Sequence, residues 1–363
     1  MKNFLRLTFS LCFILFIFQK TNAQNSLNSN IDVPHNSETL TNEEKEPINP
    51  NDIIMTHVLD GHEFEFIEIN GHPIAIPLPV LLYSTNRGWA FFSYANFGHK
   101  GEKSYNDNGN YYGVKKGKII PLLEDGTLDT SSTLYDFSFT RGVVQLIITT
   151  ILLCIILIRV AKKYKTFGVN KAPSGLQNFI EIMVTFVRDD IAKPNLGDKY
   201  QKFLPYLLSL FFFILINNII GLIPGTANVS GNISFPIILG ILSFILIMKS
   251  SNRHYWGHIL NPPVPFFIKF ILVPVEIIGI FTKPFALILR LFANMLAGHI
   301  AIICFLILIF ILGGLNVYAG YSFAPFSVLF AVFMYGLEII VVFLQAYIFT
   351  VLTAVFVGQA IEH

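Results

Sequence analysis

Apolar and polar positions change period once along this chain. Residues 24 to about 60 are polar (NSLNSNIDVPHNSETLTNEEKEPINPND), and the stretch after them alternates. In EFEFIEINGHPIAI, apolar residues alternate with others on both sides of Asn70-Gly71, a dipeptide that favours a two-residue hairpin turn. A disordered leader followed by a small β-rich module is predicted up to about residue 134. From Val143 the pattern becomes long apolar runs: VVQLIITTILLCIILI, then about 204–223 and 234–248, and two that are far longer. As helix, Phe266 to Leu312 would measure about 70 Å, against a hydrocarbon core of about 30 Å. Pro274 and Pro284 permit a kink but no polar loop permits a reversal, so this segment must break, tilt steeply or lie partly along the membrane. The last run, about Pro325 to Ile361, is similarly long, with GGLNVYAGYSFAP read as the loop before it.

Charge then orients the runs. The first is followed by Arg159, Lys162, Lys163 and Lys165, which places that end in the cytoplasm. PGTANVSGNISFP and GGLNVYAGYSFAP lack Lys and Arg, whereas Lys249 and Arg253 follow the third run, so the loops alternate sides as that rule requires. SGLQNFIEIMVTFVRDDIAK places Leu176, Phe179, Ile180, Met183 and Val187 at helical spacing behind a capping box of Ser174 and Gln177. It is read as an amphipathic helix at the cytoplasmic interface. At the N-terminus, Lys2 and Arg6 precede an apolar core from Leu7 to Phe18 and small-residue spacing at Thr21 and Ala23, the layout of a cleavable signal. The expected architecture is an all-α membrane protein of five crossings plus the interfacial helix, its last two helices long and steeply tilted. The N-terminal module lies outside and the C-terminus inside. Expected domains are a signal peptide (1–23), an exported module (24–134) and a membrane domain (135–363).

Composition agrees with a membrane protein and removes several function classes. The chain of 363 residues is 53% hydrophobic and 13% charged, with mean hydropathy +0.59, where soluble domains carry about 25% charged residues. A net charge of +2 gives no electrostatic support for a nucleic-acid partner. Cys154 and Cys304 lie in apolar runs and Cys12 in the signal, so no disulfide framework is expected. His57, His62, His72 and His99 match no metal-ligand spacing and are read as solvated strand residues. No phosphate-cradling glycine loop is present, so no nucleotide or other cofactor is assigned. The glycosylation patterns at Asn228 and Asn232 are uninformative.

What remains are charges inside apolar runs. Arg290 lies within FALILRLFANMLAGHIAIICFLILIFIL, where a guanidinium costs at least about 2.5–3.5 kcal/mol at mid-bilayer. On a helix, Ala286, Ala293, Asn294, Ala297 and Ala301 fall within about 60° of it, a stripe of small side chains that lets another helix come close. From Phe285 onward the only acid before Glu362 is Glu338. A counter-charge on a different, moving chain is therefore expected. His299 is about 180° round the helix from Arg290 and about 13 Å along it, pointing toward the last helix, where Glu338 and Gln345 share a face. A buried His and Glu at lipid depth are the usual parts of a proton or ion path. Lys269, Glu276, Lys283 and Arg290 recur every seven residues and keep to one side, forming a second polar line from the cytoplasm.

LILRLFANMLAGH followed by LQAYIFTVLTAVF resembles the signature of subunit a of F-type ATP synthases, and NNIIGLIPG and LQNFIEIMVTFVRD resemble that family's earlier segments. The resemblance covers about residues 135–363. It implies a non-catalytic, proton-translocating stator subunit of the inner membrane, with two aqueous half-channels to a rotating ring of subunit c. Its implied partners are that ring, the subunit b stalk, the catalytic head through the complex, and the lipid bilayer. In the resemblance, Arg290 faces the ring carboxylate with Asn294 and Gln345 as polar neighbours, and His299 with Glu338 takes the place of the family's ionisable pair. The acid and the His are exchanged relative to many bacterial members. Glu276 and Lys283 are expected along the cytoplasmic route. An ion-coupled secondary transporter is the rival reading, although paired repeats with interrupted helices are missing from the sequence.

Overall fold

In the computed structural model, the described residues are 60–361, apart from 70–71, 99–100, 102, 108, 116, 130, 168–171 and 224. The predicted signal peptide and polar leader lie outside the described residues, as do His57 and His99. By its contacts the chain divides into two units, one of Gly142–Leu296 with Ile339–Ile361 and one of residues 60–141 with Ala297–Glu338.

In the second unit, residues 60–141 form short antiparallel strands. The alternating stretch gives β1 (Glu63–Ile69) and β2 (His72–Pro77), an antiparallel pair with Ile69 opposite His72; the turn expected at Asn70-Gly71 lies outside the described residues. A sheet ordered β4-β3-β8 follows (Gly88–Ser93, Pro79–Ser84, Leu134–Asp136), then one ordered β5-β6-β7 (Tyr105–Asp107, Asn110–Lys115, Lys118–Leu122). Alternation sends Val80, Leu82, Ala90, Phe92 and Leu134 to one face, where they share a core with Tyr112 and Ile119 of the other sheet.

Arg87, in the β3–β4 turn, clamps the two sheets. Its guanidinium donates to the carbonyls of Tyr111 and Leu122, both at 2.9 Å, and to Asp129 Oδ2 at 2.5 Å. Asp129 also accepts from the hydroxyls of Ser131 (2.5 Å) and Ser132 (2.6 Å), and these bonds with Arg87 hold its carboxyl well below the usual carboxylate range. His62 corrects the expectation of solvated histidines. It is buried, stacked on Tyr94 at 5.3 Å, with Nε2 3.4 Å from Asp136 Oδ2, because that carboxylate offers it an ion-pair partner inside the module. Burial raises the Asp136 carboxyl, but His62 and the Ser138 amide and hydroxyl outweigh it and the net shift is downward. Among the described residues no group of three or more His, Cys, Asp or Glu could hold a metal.

The remainder is helical. The predicted segments become α1 (Arg141–Phe167), α2 (Leu176–Phe186), α3 (Tyr200–Gly221) and α4 (Ser234–Ser250), then, after a short helix α5 (Arg253–Leu260) that the sequence reading does not predict, α6 (Phe266–Leu315) and α7 (Val317–Ile361). A π-helical stretch at Val187–Ala192 carries α2 on toward α3. Four helical segments of the described chain are long and apolar enough to cross a membrane, or five if α4 and α5, bent by 100° at Ser251, count as one.

Three local expectations differ from the structure. The capping box is not formed: the cap is Gly175, at φ 61°, with no side-chain bond, and α2 begins at Leu176. Of the apolar set predicted on α2 and beyond, Ile180 and Val187 are buried while Leu176 and Phe179 are exposed. The loop expected before Pro325 is mostly helix, with Asn316 the single non-helical residue between α6 and α7. There Asn316 accepts from the Tyr318 amide at 2.9 Å, and a Cβ on Gly320 would lie 2.7 Å from Gly313 Cα, so glycines let the chain reverse without a loop. Helix α6 is unbroken despite Pro274 and Pro284, giving about 75 Å of helix at 1.5 Å per residue.

Candidate functional site

The stripe around Arg290 lies on α6, and α6 is the least covered of the membrane-length helices, 11% buried over its most apolar stretch against 61% for Leu176–Gly221. One side of it packs inward: Leu287, Leu291 and Met295 are buried. A Cβ on Gly240 of α4 would meet Ile288 at 2.4 Å, so α4 approaches α6 closely there, and Asn228 Nδ2 donates to the Met295 carbonyl at 3.2 Å. The opposite side carries Ala286, Arg290, Ala293, Asn294 and Ala297, all exposed. Among the described residues Arg290 makes no hydrogen bond or ion pair with any acid or carbonyl. Gln345 on α7, expected as a polar neighbour of the arginine, is buried and forms no hydrogen bond with it among the described residues.

Toward the N-terminal end of α6 the seven-residue polar line has partners. Lys283 Nζ donates to Gln359 Oε1 at 3.0 Å and lies 5.2 Å from the Phe356 ring, both on α7. Glu276 Oε1 is 3.9 Å from His258 Nδ1 on α5, and Lys269 donates to Asn261.

In the other unit, His299 and Glu338 are brought together. His299 Nδ1 is 2.5 Å from Glu338 Oε1, with Glu338 buried and His299 half-buried. The second carboxyl oxygen, Oε2, is buried with no hydrogen-bond partner among the described residues. A Cβ on Gly298 would lie 3.1 Å from Glu338 Oε1, so a glycine is what leaves room for the carboxyl beside His299. Such a pair places an imidazole nitrogen and a carboxyl oxygen within the distance that proton transfer requires.

Sequence reasoning missed Gly298, and it missed a polar network between α1 and α3. Gln145 donates to the Asn217 carbonyl at 3.3 Å and accepts from the Ala227 amide at 2.9 Å. Thr149 donates to Asn217 Oδ1 at 3.1 Å, and Ser230 donates to Asn218 Oδ1. The available signal was the pair of asparagines in the apolar run LINNIIG.

Comparison with known proteins decides what this constellation belongs to. The family model described as ATP synthase A chain matches residues 143–358. The chain belongs to the ATP synthase A chain family. Among curated relatives, it is 47% identical to ATP synthase subunit a of Chloroherpeton thalassium over 234 residues, covering 63% of this chain and 68% of the relative. It is 43% identical to ATP synthase subunit a 2 of Prosthecochloris aestuarii, covering 63% and 70%. A second family model, a domain of unknown function (DUF8433), matches residues 53–139. Arg290, His299, Glu338 and Gln345 all fall within the matched segment, and the β-rich strands fall outside it.

Proposed function

We propose that this chain is the proton-translocating stator subunit of an F-type ATP synthase and provides two aqueous half-channels to a rotating ring of subunit c. The observation that carries the reading is Arg290: an exposed charge, without a partner in the described chain, centred in an exposed stripe of small side chains. A passing carboxylate on another chain can approach such a surface closely. A pair at about 4 Å with an effective dielectric near 20 is favourable by about 4 kcal/mol, so Arg290 favours the ionised ring carboxylate and expels its proton toward one route. Between sites, the fixed positive charge blocks leakage from one route to the other, and rotation becomes the way across. His299 with Glu338 serves the route to the outside, and Glu276 with Lys283 lines the cytoplasmic one. Asn294 and Gln345 tune the environment of the arginine. ATP chemistry belongs to the catalytic head, and this subunit is not itself catalytic.

The same reading supplies the topology. The chain crosses the inner membrane five times, with its last two helices, α6 and α7, steeply tilted and α2 at the cytoplasmic interface. A signal peptide (1–23) exports the module at 24–134 to the periplasm, the membrane domain is 135–363, and the C-terminus is cytoplasmic. The subunit b stalk links it to the head. Purification of the tagged chain in mild detergent tests the assignment: a subunit c ring and the catalytic head should come with it. A chain that purifies alone and transports solute in vesicles would be the rival secondary transporter.

A further inference from the structure

The strands of the N-terminal module have a second face that the core does not use. On the β4-β3-β8 sheet, Tyr83 lies opposite Trp89 on one side and Tyr135 on the other, and Leu81 lies opposite Phe91. Their side chains share the face turned from the core. Trp89 is 65% exposed and Phe91 71%, with Phe137 also exposed, and the rings form one patch: Tyr83 to Trp89 4.8 Å, Trp89 to Phe137 5.9 Å, Tyr83 to Tyr135 6.2 Å. Exposed clusters of this kind on an otherwise ordinary surface mark a contact with another phase or molecule.

The chain itself says which. β8 continues along β3 through the bonds Phe137 N–H to the Leu81 carbonyl (2.8 Å) and Phe139 N–H to the Pro79 carbonyl (3.2 Å), and the Arg141 N–H donates to the Gly61 carbonyl at 2.9 Å. α1 begins at Arg141 and its apolar run at Val143. The six Cα–Cα steps from Phe137 to Val143 reach at most about 20 Å even when extended. Chain length alone thus keeps this edge of the patch within reach of the bilayer boundary. Trp and Tyr are the residues enriched at that boundary, where the ring body is buried and the polar edge stays wet.

We propose that the Tyr83, Trp89, Phe91, Tyr135 and Phe137 face of the module rests in the headgroup region of the bilayer and docks the exported domain flat on the membrane. The inference depends on the reading that α1 enters the bilayer near Val143.

Nitroxide labels test both separately in the full chain, with Cys12, Cys154 and Cys304 replaced by Ser, reconstituted in phosphatidylcholine–phosphatidylglycerol vesicles. The sites are Phe91→Cys, Lys115→Cys on an exposed module strand as the water reference, and Ile151→Cys on the exposed side of α1 as the lipid reference. Phe91 is exposed, so its replacement leaves the core intact. The collision ratio of oxygen to a water-soluble nickel chelate should shift from the Lys115 value toward the Ile151 value at Phe91. A Phe91 value equal to that of Lys115 overturns the proposal, and low collision with both reagents overturns it in favour of a protein or glycan cover. An Ile151 label that collides with the nickel chelate as Lys115 does refutes the membrane reading of α1 instead.

Discussion

Enlarging Gly298 should slow proton passage without disturbing assembly. A Cβ there lies 3.1 Å from Glu338 Oε1 and 3.3 Å from its Cδ, closer than carbon and oxygen pack comfortably, so the carboxyl must retreat by a few tenths of an ångström. From 2.5 Å, that retreat leaves the His299 contact within hydrogen-bond range in Gly298→Ala, which should conduct at close to the native rate. Gly298→Val adds two further carbons on the same side and breaks the contact. A hydrogen bond to a charged group is worth about 1.5–3 kcal/mol, and Glu338 has no second partner to compensate, since its Oε2 is already unpaired among the described residues. At about 1.4 kcal/mol per decade, passage through the pair should fall roughly tenfold to a hundredfold. The assay is passive proton conductance of vesicles stripped of the catalytic head, with copurification of the ring as the control for assembly. Native conductance in an assembled Gly298→Val complex would refute the reasoning.

The His299→Glu, Glu338→His double exchange should conduct better than either single exchange, because a relay needs the two groups and not their order; vesicle conductance decides, and a double exchange no better than the worse single one points to a structural role. Cysteines at Glu276 and Lys283 should react with soluble thiol reagents from the cytoplasmic side, and protection of both in a functional complex counts against the inner route. Arg87→Ala removes the clamp from a buried Asp129 carboxylate and should destabilise the module by about 1–3 kcal/mol, read as faster proteolysis of that region in the full chain. Because the folded Asp129 carboxyl titrates below its unfolded value of about 3.9, its pairing stabilises the module above that pH; protease resistance should decline as pH falls below about 4, and less steeply in Asp129→Asn.

Much of this architecture was legible because it depends on period and hydropathy. The β1–β2 pairing follows from the alternation on either side of Asn70-Gly71, which slips once at Phe66-Ile67, and the membrane-length helices follow from uninterrupted apolar runs. The exposed stripe also follows from sequence, since 100° per residue places the alanines beside Arg290. What escaped reading depends on contacts between distant residues. Nothing local distinguishes His62 from a solvated histidine; its burial is set by Asp136 and Tyr94 from other elements. Arg87 reads as an ordinary turn residue until Tyr111, Leu122 and Asp129 surround it. The stretch around Asn316 reads in sequence as a loop between two long apolar runs, whereas its glycines serve close approach between helix ends. Gly298 was passed over for the same reason: its lack of a side chain matters only once Glu338 is packed against it.

The account stands most directly on the charge of Arg290. Arg290→Ala removes an exposed side chain that makes no hydrogen bond or ion pair in the described chain, so the complex should assemble with its ring and head intact. In inverted membrane vesicles bearing that variant, the account predicts that addition of ATP produces no acidification of the lumen while the head still hydrolyses ATP. Acidification at the native rate would contradict it.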